Sequence, residues 1–302
     1  MIPFDFKLHI RILKLFIKHK GFSLATLFYL FGAIPFIIMN NLFHQFSFLL
    51  DEIFFSSYRK ISTDDSIFIV GPPRCGTSLM LDLLNYSDEI TSMKLWEIHS
   101  APSICEKLFF LQMGKVDRFM GSPLFKLYHY LNNKVFGDLL KVHDTSLFHF
   151  EEDAMLFYHS ANSPFYLFFF PFVELQTPFL DFDTSTSAEY KTKYMNFYKK
   201  CIQKHLYVFG KEKIYLSKNP FFSFYVLTLK EHFNNAKFIL MARNPYQVVP
   251  SAISLSTLYK DFDQYANNQN AKATFFENLL KERFQDRQEG SAGLYPTYYR
   301  LF

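Results

Sequence analysis

"FIVGPPRCGTSLMLDLL", residues 68 to 84, carries the strongest structural signal in the chain. An apolar run (Phe68, Ile69, Val70) stops at Gly71, a short loop follows, and Gly76, Thr77 and Ser78 open a helical pattern. A strand, a glycine-bounded loop and a helix in that order make a turn suited to an anion. The nucleoside-triphosphatase version reads G-x-x-x-x-G-K-[ST], whereas this one reads G-x-x-x-x-G-T-S. The lysine that would reach the β- and γ-phosphates is missing, and Arg74 sits inside the loop instead. Gly71 and Gly76 let the backbone turn tightly and approach a ligand. The amides of Cys75, Gly76, Thr77 and Ser78 point outward at the positive end of a helix. Thr77 and Ser78 add hydroxyl donors, and Arg74 adds a planar fork for two anion oxygens. Such a loop favours a phosphate or sulfate. Without the lysine and a nearby magnesium-binding acid, it serves transfer of a γ-phosphoryl group poorly.

Outward from the loop, short apolar runs alternate with helical patterns. Candidate strands are 66 to 71, 213 to 217 ("KIYLS") and 237 to 242 ("KFILMA"), followed by candidate helices at 76 to 85, 221 to 233 and 245 to 258. Alternation of this kind predicts an α/β domain with a central parallel sheet and helices on both faces. Ligands then bind at the carboxyl ends of the strands. Residues 104 to 209 read mainly as helix, with Thr186 and Glu189 forming a capping box and Gly210 closing the last helix. A further helix is expected at 263 to 286. We divide the chain into a membrane-associated segment, 1–60, and an α/β domain, 61–302.

The chain has 302 residues, 49% of them hydrophobic and 20% charged, which is enough for a substantial core. Its net charge of +4 comes with no basic stripe in the domain, which argues against nucleic acid. Cys75, Cys105 and Cys201 lack paired spacing, so neither a disulfide framework nor a zinc site is expected. His149 and Asp153 stand four apart, but no third ligand accompanies them, and no metal is expected.

At the N-terminus, Lys7, Arg11, Lys14, Lys18 and Lys20 face a single acid, Asp5, and no charged residue follows from Gly21 to Leu50. A run of roughly eighteen or more apolar residues is a membrane-spanning candidate whose basic flank stays cytoplasmic. It is too long for a cleavable signal peptide. Gly32 and Pro35 interrupt it, which keeps two alternatives open: a membrane-surface or re-entrant helical pair, and a helical hairpin packed on the domain. The scattered cysteines and a single glycosylation sequon, at Asn85, favour a domain on the cytoplasmic side. The opposite topology, with the domain lumenal, is the alternative.

A second strand-to-helix junction repeats the anion theme. In "NAKFILMARNPYQVVPSAISL", residues 235 to 255, Arg243 falls where the strand ends and Ser251 falls two turns into the next helix, so the pair is expected to clamp a second phosphate. Together these stretches resemble the sulfotransferase family. The first is similar to that family's 5′-phosphosulfate loop, P-R-S-G-T-T. The second is similar to its 3′-phosphate segment, in which an arginine precedes a serine by eight positions. "LSKNPF", residues 216 to 221, is similar to the lysine-bearing segment of the branch that includes tyrosylprotein sulfotransferases and bacterial relatives. The matches occur in the family's order over about residues 60 to 260.

The resemblance implies a P-loop-like three-layer fold and 3′-phosphoadenosine 5′-phosphosulfate (PAPS) as donor, with no metal. It makes Arg74, Cys75, Gly76, Thr77, Ser78, Arg243 and Ser251 donor-binding residues, with Lys218 and Arg74 also catalytic. Glu97, in "KLWEIHSAPS", is the expected base, its pKa raised by partial desolvation beside Trp96; His99 is the alternative. The acceptor is a hydroxyl on a glycan, a lipid, a protein tyrosine or a small alcohol. Two competing functions are an atypical small-molecule kinase and a non-catalytic nucleotide-binding membrane protein.

Overall fold

The computed structural model describes residues 2–140, 146–166, 182–244, 246–248 and 250–251. By its contacts the chain forms two units. The first holds Met1–Gly71 and Gly76–Ala242; the second holds Pro72–Cys75 and the chain from Arg243.

The first unit begins with α1 (Phe6–Lys20), whose first turn is capped by the Asp5 carboxylate accepting from the Leu8 amide. After Gly21, with a φ of 60°, come α2 (Leu24–Phe28), a π-helical turn (Tyr29–Ala33) and α3 (Ile34–Phe54). These run on as one helical rod, Leu24–Phe54. The expected break at Gly32 and Pro35 does not occur. In the π turn the Ile34 amide reaches back to Tyr29 O, and the widened backbone admits a proline that has no N–H to give.

The buried stripe of α3 is largely polar: Asn41, His44, Ser47 and Asp51, with Phe48. Asp51 Oδ2 accepts from Lys204 Nζ and the Ile104 amide, each at 2.8 Å, and Oδ1 accepts from the Cys105 amide at 2.9 Å. His44 Nδ1 pairs with Glu106 Oε1 at 2.7 Å, and Asn41 donates to the His159 carbonyl. Buried polar groups satisfied this fully fix one register of the helix against the domain.

The domain continues through β1 (Ile67–Val70), α4 (Thr77–Leu84), β2 (Ile90–Thr91), α5 (Leu95–Ser100), α6 (Ile104–Phe119), α7 (Pro123–Leu140) and a 3-10 turn (Asp153–Ser160). Then come α8 (Phe182–Ser185), α9 (Ala188–Phe209), β3 (Ile214–Lys218), a second 3-10 turn (Pro220–Phe224), α10 (Val226–His232) and β4 (Lys237–Leu240). The four strands are parallel in the order β2-β3-β1-β4, with Ile69 opposite Lys218 and Ile239. Strand alternation sends Ile69 and Leu216 to one face, where they pack on Leu81 of α4. Phe68 points to the other face, against Phe222, Phe233 and Phe238, and Tyr198 of α9 closes over Phe222 and Phe233. Helices thus cover both faces of the sheet.

The three expected strands are present within a residue or a few. β2 was not anticipated, because two residues carry no periodicity. Ser187, not Thr186, caps α9 by accepting from the Tyr190 amide, one position later than expected. The helix expected at 221 to 233 is divided, since the Asn219 side chain starts a 3-10 turn by accepting from the Phe221 amide. Most of the helix expected at 245 to 258, and all of that at 263 to 286, lie outside the described residues.

Candidate active site

Gly71 ends β1 with a φ of 143°, and a Cβ there would come within 2.3 Å of the Met241 carbonyl oxygen beyond β4. Only glycine fits. The Gly71 amide donates to Ser223 Oγ at 3.0 Å. Gly76 adopts the left-handed conformation as N-cap of α4 and offers no side chain, so no capping side chain occupies that helix's first amides. Thr77 is buried beneath the turn and Ser78 is exposed.

In the second unit, Arg74 itself has a positive φ of 68°, a conformation costly for a residue with a Cβ. Its Nε donates to Ser251 Oγ at 3.0 Å, while Cys75 beside it is buried. The two corners marked in the sequence therefore meet, with a different pairing from the one expected. Ser251 meets Arg74, and the exposed Arg243 turns along its own segment to donate to Gln247 Oε1 at 2.9 Å.

Lys218 closes β3 at the carboxyl edge of the sheet and is only 3% exposed. Its Nζ donates to Glu152 Oε1 at 2.8 Å, with Glu151 Oε1 at 3.9 Å. Burial pulls the ammonium pKa down, but the Glu152 and Glu151 carboxylates more than reverse this, and the net direction is up. Lys218 is therefore a fixed cation at neutral pH. An antiparallel bridge between Lys94 and Phe150 holds the two glutamates there, with the Glu151 amide donating to Met93 O. Asp153 is buried below them; its oxygens accept from the hydroxyls of Tyr198, Tyr215 and Ser217. Burial raises its pKa to about 6 against those three hydrogen bonds.

Glu97 lies in the first turn of α5 and is 1% exposed. Its Oε1 accepts from the Lys94 amide at 3.0 Å, and its Oε2 meets His205 Nδ1 at 2.7 Å and Lys107 Nζ at 3.8 Å. Burial pushes the carboxyl pKa up, as expected beside Trp96, but His205 and Lys107 outweigh it and the net direction is down. The carboxylate is a stable anion in a buried cluster. His205 Nε2 completes the chain with Thr91 Oγ1 at 2.9 Å. His99 is exposed and stacks on Tyr158.

Sequence reasoning had not assigned Glu151 and Glu152 to Lys218, nor His205 to Glu97. The signal for the first was three successive acids bounded by Phe150 and the apolar Ala154–Met155, an unusual place for a solvated acidic face. His205 gives no such sign. Among the described residues no group of three His, Cys, Asp or Glu side chains is arranged to hold a metal ion.

Comparison with known proteins matches residues 66–289 to a family model described as "Sulfotransferase family". The omega-hydroxy-beta-dihydromenaquinone-9 sulfotransferases Stf3 of Mycobacterium bovis and Mycobacterium tuberculosis are each 29% identical over 213 residues, covering 66% of this chain and 47% of theirs. The chain spans about half the length of these curated relatives. Among solved structures, sulfotransferase STF1 from Mycobacterium tuberculosis superposes with a TM-score of 0.56 at 16% identity, over 83% of this chain and 64% of that one. Sulfotransferase STF9 from Mycobacterium avium gives 0.59 at 15% identity, over 81% and 62%.

Proposed function

The chain belongs to the sulfotransferase family, and we propose that it moves a sulfuryl group from PAPS to a hydroxyl of a membrane lipid. One observation carries the choice of donor: Arg74, from the loop after β1, bonds Ser251, from the segment after β4. Two anion corners in one unit suit a nucleotide with phosphate at both ends. In this reading Arg74 and the amides of Cys75, Gly76, Thr77 and Ser78 take the 5′-phosphosulfate, and Ser251 and Arg243 take the 3′-phosphate. Arg74, on the phosphosulfate, and Lys218 neutralise charge on the sulfuryl oxygens and the departing phosphate. No metal is needed for this, because cationic side chains and amides supply the charge.

A carboxylate accepts the acceptor's proton. Glu97 is the residue that motif resemblance proposes. The place of Glu152 beside Lys218 and its greater exposure, 15% against 2% for the Glu97 side chain, favour Glu152 for the same role. Glu97 then ties α5 to α9 through His205. The relatives named for a hydroxylated menaquinone support a lipid acceptor, as does the apolar N-terminal rod. In this reading the domain faces the cytoplasm, which the scattered cysteines and single glycosylation sequon favour. Incubation of the purified protein with 35S-labelled PAPS and a total membrane lipid extract tests the proposal. Label in the organic phase is expected; no label there, with label transferred in a parallel incubation supplied with soluble glycan and protein, would overturn the lipid acceptor.

A further inference from the structure

We propose that the rod Leu24–Phe54 does not cross the bilayer but lies in one leaflet, its apolar side in lipid and its polar side locked to the domain. This deepens the membrane association proposed above and stands whether or not the chain transfers sulfate. Three observations carry it.

The first is an inverted amphipathic pattern. Every exposed side chain between Phe22 and Phe54 is apolar, Phe28, Phe36, Phe43 and Leu49 among them, while the buried stripe of α3 holds Asn41, His44, Ser47 and Asp51. A helix on a water-soluble domain shows the reverse. A protein partner would meet apolar residues interspersed with exposed polar ones, whereas every exposed residue of the rod itself is apolar. Hydrocarbon is the surrounding that such a face fits.

The second is the lock. Spanning by the second half of the rod would strip Asp51 from Lys204 and from the Ile104 and Cys105 amides, and His44 from Glu106; spanning by the first half would strip Tyr29 from His9, whose other ring nitrogen meets the Ala161 carbonyl. Those groups would then be stranded in hydrocarbon.

The third is charge. α1 packs against α2 and carries Lys7, Arg11, Lys14 and Lys18 at offsets of four, three and four, all exposed on one stripe. Exposed Phe6, Ile10 and Ile17 run beside them. Basic and apolar stripes side by side suit the headgroup region of an anionic leaflet.

The test adds full-length protein to preformed, sealed vesicles of phosphatidylcholine with or without phosphatidylglycerol. The protein is expected to float with vesicles, to resist extraction by high salt, and to bind at least tenfold better when phosphatidylglycerol is present. Thiol probes placed at the rod's two ends, Ser23→Cys and Ser56→Cys, are then challenged from outside with a membrane-impermeant maleimide, with wild type giving the background from Cys105. Reaction at both ends supports the one-leaflet placement. Protection of Ser23→Cys alone means that the rod spans, and overturns it. The pair Phe43→Gln and Phe46→Gln should lower vesicle partition at least tenfold with an unchanged melting temperature. Loss of self-association in that variant, with no vesicle binding by wild type, would assign the face to a second copy and also overturn the proposal.

Discussion

At the residue scale, Lys218 and its two glutamates are the chemical centre of the account. Lys218→Met should lower kcat by about 10² to 10³, the usual loss when one stabilising donor is removed from a transition state, and Lys218→Arg should recover part of it. Glu152→Gln should cost kcat about 10² with donor affinity retained, the range for a lost general base. Initial rates at saturating PAPS decide both; wild-type turnover in Glu152→Gln returns the role to Glu97. For Glu97 itself the prediction is stability. Its folded pKa is lowered, so its contribution is present above the unfolded carboxyl value, about 4.3, and fades as pH falls through the folded value. Glu97→Gln should therefore cost about 3–5 kcal/mol at pH 7, leaving His205 and Lys107 without their anion, and less at pH 3. Urea unfolding at the two pH values measures this; an equal loss at both would contradict the pairing. The glutamates were visible in the sequence only as an acidic run, because an antiparallel bridge between distant segments, Lys94 and Phe150, gives them their meaning.

At the scale of elements, the strand-loop-helix unit was legible because each part has its own chemistry. β-branched and aromatic residues make β1, Gly71 and Gly76 bound the turn, and G-T-S opens α4. Gly71→Ala is expected to lower the melting temperature by several degrees or to prevent folding. Its Cβ meets a backbone oxygen of the neighbouring strand's exit at 2.3 Å, and backbone cannot move aside cheaply. An unchanged melting temperature would mean that β1 and β4 do not exit side by side. The helix pairing of α3 was less legible. Asn41, His44, Ser47 and Asp51 recur at offsets of three, three and four within an apolar run, but sequence alone does not say whether the polar or the apolar stripe turns inward. Lys204 and Glu106, far along the chain, settle that. Asp51→Ala should cost about 3–5 kcal/mol, since it abandons the buried Lys204 ammonium and two amides at the start of α6. Lys204→Met in the same background should restore much of that loss, as replacement of both partners of a buried pair does; additive losses in the double variant would contradict the ion pair.

For the whole molecule, the central claim is that one nucleotide with phosphates at both ends spans the corners marked by Arg74 and by Arg243 and Ser251. Titration calorimetry of the full-length protein measures this most directly, comparing 3′-phosphoadenosine 5′-phosphate with ATP and magnesium. The account predicts binding of the bisphosphate, weakened at least tenfold (about 1.4 kcal/mol) in Arg74→Ala and again in Ser251→Ala, with ATP and magnesium far weaker. Equal or tighter binding of ATP and magnesium, or bisphosphate binding unaffected by either substitution, would contradict it.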